Sequence, residues 1–70
     1  MKEYVVLLAN LSDREKSIKI RIARGIIGDN NVIYVPENFN DYNIPYIRLR
    51  CKKKKFKEVL LQLGLKKVYL

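Results

Sequence analysis

The segment Ser-Ile-Lys-Ile-Arg-Ile-Ala-Arg, residues 17–24, governs the predicted order of helices and strands in this chain. Its isoleucines alternate with polar or small residues, which is the period of a half-buried β-strand. The three isoleucines then face the core, while Lys19 and Arg21 face outwards. A helix would place the middle isoleucine on the opposite side from the other two. We therefore predict a strand here.

Two further strands are predicted downstream of this segment. Residues 32–35, Val-Ile-Tyr-Val, and residues 46–51, Tyr-Ile-Arg-Leu-Arg-Cys, consist largely of β-branched, aromatic and alternating apolar residues. In the later strand the alternation gives one apolar face and a second face that carries Tyr46, Arg48 and Arg50. A polar loop is expected between the two strands.

A helix is predicted after the run of four consecutive lysines. Phe56, Val59, Leu60 and Leu63 recur at positions i, i+3, i+4 and i+7. That spacing gives one apolar stripe along an amphipathic helix. Gly64 follows the stripe directly, in the position of a helix C-cap.

The N-terminal segment allows two interpretations. The apolar residues of segment 4–11 fit one helical face, which predicts the order α-β-β-β-α-β with residues 68–70 as a short last strand. Alternatively, residues 4–9 form a buried strand, and Ser12 and Glu15 have the spacing of a capping box at a helix start. That reading gives a ferredoxin-like β-α-β-β-α-β chain. We prefer the first order, because the isoleucine alternation is the stronger signal.

Length and composition fit one folded domain over residues 1–70. We predict a small α+β domain with a mostly antiparallel sheet of three or four strands and two helices packed on one face. With 49% apolar residues, the chain has the composition of a folded protein. Its single cysteine cannot form an internal disulfide, which fits a reducing compartment. The longest apolar run is too short to span a bilayer, so we expect no membrane partner.

The net charge lies entirely in the last third of the sequence. Residues 48–70 contain nine basic residues and one acid, 9 − 1 = +8, which equals the formal charge of the whole chain. Residues 1–47 contain six basic and six acidic residues and are neutral. A strongly positive end on a small protein favours a polyanionic partner. The alternatives are a solvated surface without a partner, or a nuclear import signal within the lysine run.

Two basic regions are therefore candidate phosphate-binding sites. One is a sheet face made of Lys19, Arg21, Arg48 and Arg50, with Tyr46 able to stack on a base. The other is the lysine-rich start of the last helix. Cations are unfavourable at a helix N-terminus, and a bound phosphate chain would relieve their repulsion.

Catalysis has little support in the residues. The chain has no histidine, no nucleophile next to a base and no acid cluster. Cys51, on the apolar face of its predicted strand, is expected to be a small core residue rather than a nucleophile. We expect a protein that is not an enzyme and has no cofactor, no metal and no small-molecule substrate.

Several short strings resemble the eukaryotic large-subunit ribosomal protein L-thirty-eight family. Residues 6–9 and 16–20 are similar to the family's Phe-Leu-Leu helix and the Lys-Ser-Val-Lys-Ile strand that follows it. Residues 29–32 resemble its Asp-Asn-Val turn, and residues 60–68 resemble the end of its last helix. The family's aromatic run after Val-Arg-Cys is absent here, so the chain resembles a divergent member.

The resemblance implies a structural protein of the cytosolic large ribosomal subunit that binds rRNA beside neighbouring ribosomal proteins. Such a protein is cytoplasmic, with nuclear or nucleolar transit during assembly. The resemblance adds Lys16, Lys66 and Lys67 to the contact candidates. The alternative is a free-standing, small nucleic-acid-binding regulatory protein with a ferredoxin-like fold. The full set of RNA-binding candidates is Lys16, Lys19, Arg21, Arg24, Tyr46, Arg48, Arg50, Lys52, Lys53, Lys54, Lys55, Lys57, Lys66 and Lys67.

Overall fold

The computed structural model describes residues 2–64. Its elements in chain order are β1 (Lys2–Leu7), α1 (Asp13–Ile27), β2 (Val32–Val35), β3 (Tyr46–Cys51) and α2 (Lys53–Leu63), with single 3-10 turns at Asp29–Asn31 and Glu37–Phe39. The predicted α+β class, with an antiparallel sheet and two helices, is confirmed. The preferred element order is wrong, because the chain begins β-α-β-β-α.

The three strands form one antiparallel sheet in the order β1-β3-β2. The central strand β3 pairs with β1 from Leu7 opposite Tyr46 to Lys2 opposite Cys51. It pairs with β2 from Val35 opposite Tyr46 to Val32 opposite Leu49. Both β2 and β3 have the bounds that the sequence predicts. Since β1 and β2 are not neighbours, α1 carries the chain across the position that β3 fills.

The core lies between one face of the sheet and both helices. Its buried sheet residues are Tyr4, Val6, Val32, Ile47, Leu49 and Cys51. Leu8 directly after β1 is also buried, and α2 adds Phe56, Val59 and Leu63. The ring of Tyr4 stacks on Phe56 with centroids 3.9 Å apart. The predicted stripe of α2 is confirmed, and so is its end. There Gly64 has a φ of 66° and donates its N–H to the Leu60 carbonyl oxygen.

The predicted strand at residues 17–24 is wrong, since these residues lie within α1. Both bonds of a capping box start this helix. The Glu15 N–H donates to Ser12 Oγ at 3.1 Å, and the Ser12 N–H donates to Glu15 Oε1 at 3.3 Å. Ala23 is fully buried, while Ile18 is 47% exposed. The alternating isoleucines therefore lie on different sides of a helix whose buried face is centred on Ala23, and they do not share one strand face.

The predicted N-terminal helix is also wrong, because Lys2–Leu7 is a strand that pairs with β3. Tyr4 and Val6 point into the core beside their β3 partners Leu49 and Ile47. The alternating apolar residues of β3 need such a neighbour to complete a buried face. The last strand expected at residues 68–70 lies outside the described residues.

Candidate nucleic-acid interface

The face of the sheet that points away from the helices is not covered by any element within residues 2–64. We call it the open face. It consists of the residues that alternate with the core: Glu3, Val5, Leu7, Ile33, Val35, Tyr46, Arg48 and Arg50. The predicted outward projection of the last three is confirmed.

The strand register surrounds Tyr46 with aliphatic side chains. Tyr46 lies on the central strand, directly between Leu7 of β1 and Val35 of β2. Two residues further along β3, about 7 Å away, Arg48 lies between Val5 and Ile33. The open face thus combines an aromatic ring on an apolar surface with guanidinium groups beside it. This combination suits a stacked base whose phosphate lies nearby.

Arg48 on the open face forms an ion pair with Glu3. Arg48 Nη2 lies 2.7 Å from Glu3 Oε2. The hydrogen bond and the charge of Arg48, with a smaller effect from Arg50, lower the pKa of Glu3. A lowered pKa means that the attraction is present at neutral pH and is lost as pH falls through that value. At neutral pH, Glu3 therefore offsets part of the positive charge on the open face.

The start of α2 carries its lysines without a side-chain cap. Lys52 is the N-cap residue, its side chain forms no capping hydrogen bond, and the first turn contains no acid. One of these lysines is paired, since Lys55 Nζ lies 3.3 Å from Glu58 Oε2. Lys53, Lys54 and Lys57 are exposed.

The end of β3 and the start of α2, which one residue separates, border a common hollow. A hollow of about 250 Å³ is lined by Arg50, Lys52 and Lys55, with apolar walls that include Ile26 and Ile27. Arg50, which lies on the open face, therefore borders one space with Lys52 and Lys55 at the start of α2.

Two candidates predicted for the same sheet face lie on the other side of the molecule. Lys19 and Arg21 belong to α1, so the predicted five-residue face containing them is wrong. The Lys19 ammonium donates to the Leu63 carbonyl oxygen at 2.8 Å. That carbonyl is at the end of α2, where a cation is favourable. In this structure Lys19 connects the two helices.

Lys16 also has a structural role. Its ammonium lies 3.2 Å from Asp13 Oδ1, and its side chain is 12% exposed. The hydrogen bond that Lys16 donates to the Asp13 carboxylate raises the pKa of Lys16. The other two candidates on α1, Arg21 and Arg24, line a separate groove. Lys66 and Lys67 lie outside the described residues.

The sequence prediction missed the apolar part of the open face. Val5 and Leu7 were assigned to a helix, so their place beside Tyr46 was not foreseen. The signal was available in the alternative reading, in which the N-terminal segment is a strand with period two. Cys51 lies in the core as predicted, and burial raises the pKa of its thiol. A raised pKa disfavours the reactive thiolate.

Among residues 2–64 there is no group of three or more cysteine and acidic side chains that could hold a metal ion. Neither described helix has the length and apolar content needed to cross a membrane. No family model, no curated protein and no solved structure matches this chain.

Proposed function

We propose that this protein is a non-catalytic RNA-binding protein that takes single-stranded segments of RNA on the open face. The observation that carries the proposal is the row of Tyr46, Arg48 and Arg50 on the open face. The last of these residues lines one hollow with Lys52 and Lys55 at the start of α2. Aromatic stacking needs bases that are not already stacked in a duplex, which favours single strands. The cations neutralise phosphates without reading sequence.

The finer description of the fold is part of this proposal. We infer a ferredoxin-like β-α-β-β-α-β chain, because the first five elements have that order and the sheet order β1-β3-β2 belongs to it. This topology leaves one side of the sheet free of helices. A sheet side with an aromatic residue on its central strand is an established geometry for stacking bases.

Replacing the stacking ring tests the proposal most directly. We expect Tyr46→Leu to weaken binding of a single-stranded RNA oligonucleotide by about 5- to 150-fold, since one stacked base contributes about 1–3 kcal/mol. Tyr42→Leu is the matched control, because Tyr42 is 62% exposed in the loop before β3 and is not on the sheet. Fluorescence anisotropy measures both. Equal affinities for the two variants would contradict stacking on the open face.

The lysine run is tested by its salt dependence. Lys52→Ala with Lys54→Ala removes two cations, and we expect the slope of log affinity against log salt to fall by about 1.4, or 0.7 per phosphate contact on a single strand. Tyr46→Leu should leave that slope unchanged, because it removes no charge. An unchanged slope in the lysine variant would mean that the run is a solvated surface or an import signal.

Membership of the large ribosomal subunit is a narrower proposal. Its support is the set of short sequence strings and the charge of +8. One of those strings, residues 16–20, lies in α1 rather than in the strand that the family resemblance implies. Sedimentation on a sucrose gradient at low salt tests this proposal. Absence of the protein from the large-subunit peak would overturn ribosome membership. The RNA-binding proposal would then apply to a free-standing protein.

A further inference from the structure

A second basic site lies on the flank of α1 that faces away from α2. It is an open groove of about 530 Å³, lined by Ser17, Ile20, Arg21, Arg24, Gly25, Asp29 and Tyr34. A hollow of about 320 Å³ continues it past Ser17 and Tyr34 towards Lys16. These volumes are in the range of small-molecule sites. None of these seven residues belongs to the open face.

The groove holds two guanidinium groups without carboxylate partners. Arg21 and Arg24 are one helical turn apart, and neither forms an ion pair with another residue of the 2–64 range. Ser17 lies one turn before Arg21 and adds a hydroxyl group. Arginine binds phosphate oxygens through paired N–H donors, so this wall of the groove suits a phosphate group.

The opposite wall of the groove supplies groups that can contact a base and a sugar. Tyr34 presents a half-buried ring from the edge strand β2, and Asp29 presents a carboxylate from the turn after α1. An aromatic ring stacks on a base, and a carboxylate accepts hydrogen bonds from a ribose hydroxyl or a base amino group. Phosphate, sugar and base would each find a matching group here.

Gly25 supports a ligand at this position. Glycine inside a helix is destabilising relative to alanine, and a Cβ added at Gly25 would meet no atom within 4 Å. Its φ is also not left-handed. The fold therefore does not require glycine here. A helix wall without a side chain lets a ligand approach the backbone.

We propose that this groove binds a nucleoside phosphate, either as a free mononucleotide or as one nucleotide of a bound RNA strand. The first source goes beyond the proposed function, and the second rests on it. The two sources share the chemistry of phosphate, ribose and base, and the experiment separates them.

The test uses Arg21→Gln and its matched control Arg14→Gln. Arg14 is exposed in the first turn of α1 and does not line the groove. Calorimetric titration with the four ribonucleoside monophosphates, with inorganic phosphate and with adenosine gives the ligand class. We expect Arg21→Gln to weaken nucleotide binding about tenfold or more, as for loss of a charged hydrogen bond, and Arg14→Gln to leave it unchanged.

The outcomes separate the two sources. Mononucleotide binding that Arg21→Gln weakens supports a free ligand. RNA binding that Arg21→Gln weakens, without measurable mononucleotide binding, supports a nucleotide within the strand. Inorganic phosphate that binds as tightly as a nucleotide overturns the nucleoside part, and no effect of Arg21→Gln on either ligand overturns the inference. If Tyr46→Leu leaves RNA binding intact while the groove binds mononucleotides, only the proposed function fails.

Gly25→Ala provides a variant that cannot act by unfolding the protein. We expect it to raise the melting temperature by about 2–8 °C, because alanine is the better helix former. We also expect it to weaken binding of the ligand that approaches the helix backbone at Gly25. A more stable variant with unchanged nucleotide and RNA binding would show that the ligand does not approach the helix backbone at Gly25.

Discussion

The two helices of this protein begin in opposite ways. At the start of α1, Ser12 caps the backbone and two acids, Asp13 and Glu15, lie in the first turn. At the start of α2, the N-cap is Lys52 without a capping bond, and three more lysines fill the first turn. Acids stabilise the positive end of a helix, and cations oppose it. Local interactions therefore favour the start of α1 and disfavour the start of α2.

This difference between the two helix starts indicates that the lysines do not stabilise α2. The helix forms in spite of them because Phe56, the residue that follows the lysine run, is fully buried and stacks on Tyr4. Burial of a large aromatic side chain outweighs an unfavourable helix end by several-fold. Among residues 2–64, Lys52, Lys53 and Lys54 are exposed and form no ion pair, so they remain available for an anionic partner.

The largest expected effect comes from removing the packing that holds α2. We predict that Phe56→Ala lowers the free energy of unfolding by about 3–5 kcal/mol, because it deletes a buried aromatic side chain and leaves a cavity. Urea denaturation followed by circular dichroism measures the change. Leu61→Ala is the control, since Leu61 is 79% exposed on the same helix and should alter stability by less than about 0.5 kcal/mol. A loss below 1 kcal/mol for Phe56→Ala would break the comparison.

An intermediate effect is expected from giving α2 the start of α1. Lys52→Ser with Lys53→Asp copies the Ser12-Asp13 pair onto α2. We predict a gain of about 1–2 kcal/mol in the free energy of unfolding, from the cap and from the acid at the helix end.

The same double variant should weaken RNA binding at least about tenfold at 0.1 M salt, since two phosphate contacts are lost. Denaturation and anisotropy on one preparation measure both quantities. A variant that gains stability and keeps its RNA affinity would show that the lysines serve neither purpose.

The smallest expected effect is the loss of the cap on α1. We predict that Ser12→Ala lowers the free energy of unfolding by about 1 kcal/mol, because the Glu15 N–H loses its acceptor at Ser12 Oγ. RNA affinity should not change, because Ser12 is not on the open face. Thermal unfolding and anisotropy check the two statements. A drop in RNA affinity at unchanged stability would contradict the division of roles between the helices.

The parts of the fold that could be predicted are those in which one local pattern has one meaning. β3 alternates over six residues, and α2 combines an apolar stripe with Gly64 at its end. The site prediction on β3 followed, because alternation alone puts Tyr46, Arg48 and Arg50 on one side. The segment at residues 17–24 carried two patterns at once. Its alternation was given more weight than the capping box that starts the helix.

Local sequence patterns were sufficient to predict the α+β class, β2, β3, α2 and the concentration of charge after residue 47. Tertiary structure decided that Lys2–Leu7 is a strand and Asp13–Ile27 a helix. Both segments contain enough apolar residues to fit either a helical or a strand period. The elements that pack against them therefore select which structure forms. β3 needs an edge neighbour, and its buried face needs a helix to cover it. That decision places Lys19 and Arg21 away from Tyr46 and creates both the open face and the groove beside α1.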